Sequence, residues 1–278
     1  MQQQLNQSVP ELKKQATTHR KLILEMLEKA GNGHPGGSLS AIDIITALFF
    51  NEMKVDPKNP EWTDRDRFVL SKGHGVPALY ATLAYRGYFK PEDTMSLRVL
   101  GSPFQGHPDR VRMPAVEAST GSLGQGLSVA QGMAMAGKLD GKDYRVYCLM
   151  GDGETQEGQV WEALMSCGNY KLNNLCVFLD ANKYQIDGMT KDVMDIEPLE
   201  EKIKAFKWNV LRIDGHEMDQ ILNALKAARA EKTKPTMIIA DTIKGKGVSF
   251  MENVNKWHGV SPTKDELKKA IEELEKLS

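Results

Sequence analysis

Five short apolar runs, Arg67–Leu70, Arg145–Met150, Leu175–Asp180, Val210–Ile213 and Thr236–Ala240, punctuate this chain at strand length. Several are apolar without alternation, the pattern of strands covered by helices on both sheet faces. Between them lie the helical stretches Val76–Arg86, Leu123–Leu139, Gln156–Tyr170 and Glu217–Arg229. Crossovers of that kind favour parallel, right-handed connections. The expected fold class is therefore α/β, a parallel sheet with helices on both faces, in one domain spanning residues 1–278.

Two helices precede the first strand. Glu11–Ala30 carries Leu12, Ala16, Ile23, Met26, Leu27 and Ala30 on one stripe and ends at Gly31. A second starts near Ser38 or Ser40 and runs through Ile42, Ile45, Leu48 and Phe49; the Gly31–Gly37 string GNGHPGG is read as outside both. Thr263-Lys-Asp-Glu266 is a capping box opening the last helix, which carries Leu267, Ile271 and Leu274 on one face. On the Leu123 helix, Gly124, Ser128, Gly132 and Ala136 form a smooth ridge, expected to pack within the domain ahead of a contact between subunits.

Lys plus Arg number 36 against 37 Asp plus Glu, so no cationic excess draws this chain to nucleic acid. No apolar run nears the roughly 18 residues of a membrane span. The start, MQQQLNQSVPELKK, lacks a secretory leader, and a cytoplasmic protein is expected. Cys148, Cys167 and Cys176 have no metal-ligand spacing, and Cys148 and Cys176 read as buried, inert thiols.

Chemistry is written most densely at Gly151-Asp152-Gly153, with 28 residues between Gly153 and Asn182. One strand precedes each group, so Asp152 and Asn182 leave the carboxyl ends of neighbouring strands, where open α/β sheets bind ligands. A carboxylate and an amide oxygen suit a hard cation that completes its shell with phosphate oxygens and water. Histidine placement adds to this. Five of six histidines touch glycine: His34, His74, His107, His216 and His258. Imidazoles on such loops can converge on a ligand. His19 lies at helical spacing between Ala16 and Ile23 and reads as packed, and His216 as serving a turn.

The Gly151-Asp152-Gly153…Asn182 spacing resembles the signature of thiamine-diphosphate enzymes. The ordered segments Gly33-His34-Pro35-Gly36, Asp64–Gly75, Gly106-His107-Pro108, Thr120–Gly126 and Trp257-His258-Gly259 are similar to transketolases and cover nearly the whole chain. The motif departs from many members in having Ala181 and Lys183 flank Asn182 in place of a second asparagine. The resemblance implies a thiamine-diphosphate-binding fold of the diphosphate-binding type. It implies thiamine diphosphate as cofactor and Mg2+, replaceable by Ca2+ or Mn2+, held by Asp152, Asn182 and the carbonyl of Tyr184. His74, Gly153 and His258 would meet the diphosphate, with Asn182 shared between metal and cofactor, and Gly121 and Leu123 would border its rings. His34, His107 and His258 would face the substrate, and Glu157 and Glu162 would lie between paired cofactor sites.

The reaction so implied moves a two-carbon ketol unit from a ketose phosphate to an aldose phosphate. A full-length transketolase is more than twice this length, so the chain is expected to be an amino-terminal subunit. Its partner would be a pyrimidine-binding, carboxy-terminal subunit, in a heterotetramer. The alternatives are the α subunit of a 2-oxo acid dehydrogenase first component and a non-catalytic cofactor-binding module. Neither a Gly-x-Ser-x-Gly elbow nor a Walker A loop is present, since Lys244-Gly-Lys-Gly247 lacks the length and the hydroxyl. Whether the enzyme serves the pentose phosphate pathway or an unusual sugar stays open from the sequence.

Overall fold

The computed structural model describes residues 5–277. The chain runs α1 (Val9–Ala30), α2 (Pro35–Ala47), β1 (Arg67–Leu70), α3 (Val76–Arg86), α4 (Gln125–Leu139), β2 (Val146–Gly151), α5 (Gly158–Asn169) and β3 (Leu175–Ala181). A hairpin follows, β4 (Tyr184–Gln185) and β5 (Gly188–Met189), then α6 (Thr190–Val193), α7 (Leu199–Ala205), β6 (Asn209–Asp214), α8 (Met218–Ala230), β7 (Thr236–Asp241) and α9 (Lys264–Glu275). The five longer strands are all parallel, in the order β1-β2-β3-β7-β6. After β3 the chain crosses to the edge at β6 and returns through β7, so the order reverses beside β3.

Alternate residues of each strand feed two separate cores. Phe68, Leu70, Tyr147, Leu149, Phe178 and Ile238 pack with α1, α2, α3 and α8. Val69, Val146, Cys148, Met150, Val177, Leu179 and Ile239 pack with α4, α5 and α7. Side chains on a strand alternate between faces, which is why runs with no polar alternation still resolve into two layers. The predicted sheet with helices on both faces is the fold observed. Because the five strands are parallel, groups that leave their carboxyl ends emerge on one rim.

The helix ends follow local chemistry. Gly31 closes α1 with φ 69°, its N–H reaching the carbonyls of Leu27 and Glu28. The Thr263 capping box is present: the Thr263 hydroxyl accepts from the Glu266 N–H and the Glu266 carboxylate accepts from the Thr263 N–H. The start of α2 differs from expectation. It begins at Pro35, so Gly36 and Gly37 lie in its first turn. Proline presets the first helical φ, and a Cβ on Gly36 would stand 2.9 Å from both the Lys244 side chain and the Trp257 carbonyl. Here glycine serves close packing inside a helix. The α4 ridge also departs from expectation: Gly124 is buried and Ser128 accepts from the Gln159 amide, but Gly132 and Ala136 are exposed, with nothing near a Cβ at Gly132. Its second half faces outward because the apolar stripe of α4 runs through Leu127, Ala130 and Ala134 instead.

His19 is packed, as its spacing implied. It lies fully buried between the Phe50 and Tyr85 rings, with Nδ1 2.9 Å from the Thr46 hydroxyl and Nε2 2.9 Å from the Gln15 amide. Burial and the adjacent Arg20 push its pKa down to about 3. The unfolded chain accepts that proton near the ordinary imidazole value of about 6.5. This contribution to stability is therefore present above pH 6.5 and lost as pH falls toward 3, at about 1.4 kcal/mol per pH unit. Urea unfolding at pH 7 and pH 5 is expected to show His19→Gln losing about 2 kcal/mol less than the wild type across that interval. Equal losses in both proteins would contradict the assignment.

Candidate active site

At the carboxyl rim of the sheet, a cavity of about 360 Å³ is lined by His34, His74, His107, His258, Gly121, Leu123, Asp152, Gly153, Asn182 and Tyr184, together with Lys72, Glu157 and Lys244. All ten residues singled out as candidate site residues border this one space. Most follow strand ends, whereas His34 comes from the turn between α1 and α2, and His107, Gly121 and Leu123 from the segment between α3 and α4. Lys72 and His74 follow β1, Asp152 and Gly153 follow β2, Asn182 and Tyr184 follow β3, and Lys244 follows β7. A larger hollow of about 840 Å³, walled by Pro57, Phe89, Phe104 and Pro114, holds none of the imidazoles.

The imidazoles cluster around His34. Its ring centroid lies 5.3 Å from His74, 5.6 Å from His258 and 6.3 Å from His107. Gly121, at φ 141°, permits this crowding, because a Cβ there would meet the His107 ring at 2.8 Å. Burial, with the cations nearby, pushes His34 down to about 4 and His258 to about 3, and lowers His74 and His107. The four rings are thus neutral near pH 7. Lys244 Nζ lies 2.7 Å from His258 Nδ1; an ammonium donates, so Nδ1 accepts and Nε2 carries the proton. His34 Nδ1 is buried with no partner among the described residues, an orphan polar atom a ligand can satisfy.

The metal candidates fit a hard cation. Asp152 is buried, its Oδ1 accepting from the Gly153 N–H at 2.8 Å and its Oδ2 from the Lys183 N–H at 2.5 Å. Burial and the Asp180 charge raise its pKa to about 6, against the opposing pull of Lys72 and the two backbone donors. Asn182 is also buried, its Oδ1 accepting from the Tyr184 N–H at 3.2 Å. The Tyr184 carbonyl lies 3.4 Å from Lys244 Nζ, so it faces the same space. Among the described residues no three His, Cys, Asp or Glu side chains gather as a self-contained metal site. A cation here must take part of its shell from a ligand's oxygens, as magnesium does with phosphates. The Gly153 N–H, expected to meet diphosphate, is engaged by Asp152.

Four functional groups escaped sequence reasoning. Lys72 and Lys244 are each 1 % exposed yet reach the cavity. Burial and the charge of Lys72 lower Lys244 to about 8. Lys72 Nζ donates to the Gly37 carbonyl at 2.8 Å and pairs with Asp180, which also accepts from the Ser40 and Thr242 hydroxyls and the Asn182 amide. Glu154 is the fourth. Its carboxylate accepts from the Ser71 hydroxyl, the Gly124 N–H and the Gly151 N–H, joining the loops after β1, before α4 and after β2. The one sequence signal was position: Lys72 directly precedes Gly73-His74-Gly75, and Asp180 is the lone charge in an apolar run.

Other candidates fall outside. His216 sits in its turn and, with Nε2 accepting from the Ile243 N–H at 2.8 Å, presents Nδ1–H to Asp43 at 2.7 Å. Asp43 is also bound bidentately by Arg20. Glu157 borders the cavity, whereas Glu162 is exposed on α5. The three cysteines are buried and unpaired, with pKa values raised by burial. No helix among the described residues is long and apolar enough to cross a membrane.

A family model described as "Transketolase, thiamine diphosphate binding domain" matches residues 12–275. The chain is 48 % identical to the 6-deoxy-6-sulfo-D-fructose transketolase subunit of Clostridium sp. (strain MSTE9) over 266 residues, covering 96 % of this chain and 97 % of that protein. It is 45 % identical to an apulose-4-phosphate transketolase subunit of Phocaeicola vulgatus over 266 residues, covering 96 % of this chain and 94 % of that one. The crystal structure of transketolase from Campylobacter jejuni superposes with a TM-score of 0.91 at 37 % identity, covering 97 % of this chain but 43 % of that one. The chain thus spans less than half of a full-length transketolase and nearly all of the separately named subunits. It belongs to the transketolase family, as a member of its thiamine-diphosphate-binding domain.

Proposed function

We propose that this chain is the amino-terminal, diphosphate-binding subunit of a two-chain transketolase. It transfers a two-carbon ketol unit between sugars bearing a terminal anionic group, with thiamine diphosphate and magnesium. The observation that carries this reading is the convergence of four neutral imidazoles, two buried lysines and the Asp152–Asn182 pair on one cavity. The relatives' names extend the substrate class from sugar phosphates to a sulfonated fructose.

Asp152, Asn182 and the Tyr184 carbonyl would hold the cation, Lys72 and Lys244 would balance the diphosphate charge, and His74 and His258 would meet the diphosphate as neutral hydrogen-bonding groups. Gly121 and Leu123 would border the coenzyme rings. When bound, the coenzyme supplies a carbon nucleophile and an electron sink. His34, His107 and His258 hydrogen-bond the sugar's carbonyl and hydroxyl oxygens and hold or release protons there. With Nδ1 occupied by Lys244, His258 offers Nε2–H to a carbonyl oxygen as negative charge grows on it. Neutral imidazoles suit this task, because each can either donate or accept. The separate pyrimidine-binding subunit completes the site, in a cytoplasmic heterotetramer.

The test is reconstitution. With thiamine diphosphate and magnesium, xylulose 5-phosphate as donor and ribose 5-phosphate as acceptor, the chain alone is expected to be inactive. Addition of the cognate pyrimidine-binding chain is expected to produce turnover, with a panel of sugar phosphates and sulfonates ranking the true pair. Turnover by the isolated chain, or none across the panel with both chains present, would overturn the proposal.

A further inference from the structure

We propose that Arg98, beside the loops that bring His34 and His107 to the cavity, is an anion anchor that binds the phosphate or sulfonate at the end of the sugar away from its reacting carbonyl. This rests on the transketolase reading above and gives this half of the enzyme a share of substrate recognition.

Arg98 adopts φ 61°, a left-handed conformation uncommon for a non-glycine residue and one that persists only where surroundings enforce it. The enforcement is visible. Its N–H donates to the Phe104 carbonyl at 2.8 Å, closing a loop whose bases, Leu97 and Phe104, are buried. This geometry lays the guanidinium against the two backbone stretches that carry catalytic candidates. A Cβ on Gly106, the residue before His107, would stand 2.5 Å from Arg98 Cζ. A Cβ on Gly33, the residue before His34, would stand 3.8 Å from Arg98 Nε. Gly106 thus leaves the space the guanidinium fills, and Gly33 lies within ordinary contact of it. Its charge is felt at both rings, lowering the pKa of His34 and of His107.

Arg98 has no hydrogen bond or ion pair from its guanidinium among the described residues. In this it differs from Arg20, Arg65, Arg212 and Arg229, each of which binds a carboxylate. The residue itself is exposed. An unneutralised guanidinium on a constrained backbone, beside two imidazoles that face the substrate, is a receptor for a tetrahedral oxyanion. With the sugar carbonyl among His34, His107 and His258, the opposite end of the molecule lies toward the rim.

The test uses the assembled two-chain complex carrying Arg98→Gln or Arg98→Lys. Specificity constants are compared for ribose 5-phosphate, a sugar sulfonate and the uncharged acceptor glycolaldehyde. Loss of one charge-assisted contact is expected to cut the ratio of charged to uncharged acceptor by about tenfold to a hundredfold in Arg98→Gln, chiefly through KM, with partial retention in Arg98→Lys. A loss confined to the phosphate or the sulfonate arm identifies which anion is anchored. Calorimetric titration of ribose 5-phosphate against ribose gives the same comparison without turnover, so it reads Arg98 even if ketol transfer itself proves absent. An unchanged ratio and unchanged calorimetric discrimination would overturn the inference. So would a defect confined to association of the two chains in sedimentation velocity, which would place the guanidinium against a carboxylate of the partner chain.

Discussion

Asp152→Asn is expected to abolish magnesium-dependent uptake of thiamine diphosphate by the assembled complex. Both carboxylate oxygens already accept a backbone N–H, from Gly153 and Lys183. An amide in the same place turns an NH2 group toward one of those donors and removes the only negative charge the metal would meet from this chain's ligand set. Removing one member of a buried charge pair costs about 3 kcal/mol or more, which is a hundredfold or greater in Kd. Calorimetry with both chains present, with and without magnesium, measures the loss. A variant that still takes up the coenzyme in a magnesium-dependent manner would remove Asp152 from the metal site.

The second large effect concerns the fold beneath the site. Lys72→Met leaves Asp180 buried, with its hydroxyl and amide donors but without its cation. Stranding a charge at such a position destabilises by about 3–5 kcal/mol. The double variant Lys72→Met/Asp180→Asn removes the orphaned charge as well, and is expected to recover much of that loss in urea unfolding followed by tryptophan fluorescence. Penalties that simply add would show that the two groups do not communicate. Lys72 also offsets the negative charge of Asp152, so the single variant should weaken coenzyme uptake in parallel.

The sheet was legible because its runs at Val146–Met150 and Leu175–Leu179 carry no charge to hide, and buried parallel strands leave that trace. The histidines and the Asp152–Asn182 pair were legible because glycine neighbours and spacing mark them in one dimension. Lys72 and Lys244 were not. A lysine beside glycine reads as a solvated loop, and only the fold reveals that β1 and β7 carry both into the interior. The start of α2 was misread because Gly36 and Gly37 weaken helical propensity; the tight seat beneath Lys244 and Trp257 that demands Gly36 is a property of distant segments. The hairpin at Tyr184–Met189 pairs strands of two residues each, too short to leave a period. Arg98 showed nothing at all in the string, since its meaning lies in backbone conformation and in two glycines reached across space.

Glu154 carries a lesson for redesign. Because one carboxylate fastens the segments bearing Ser71, Gly124 and Gly151, the walls proposed for the coenzyme's rings and the ledge proposed for its metal share a single rivet. Attempts to widen one for a bulkier analogue will shift the other, and directed evolution of this half-enzyme should find its gains in segments that Glu154 does not hold.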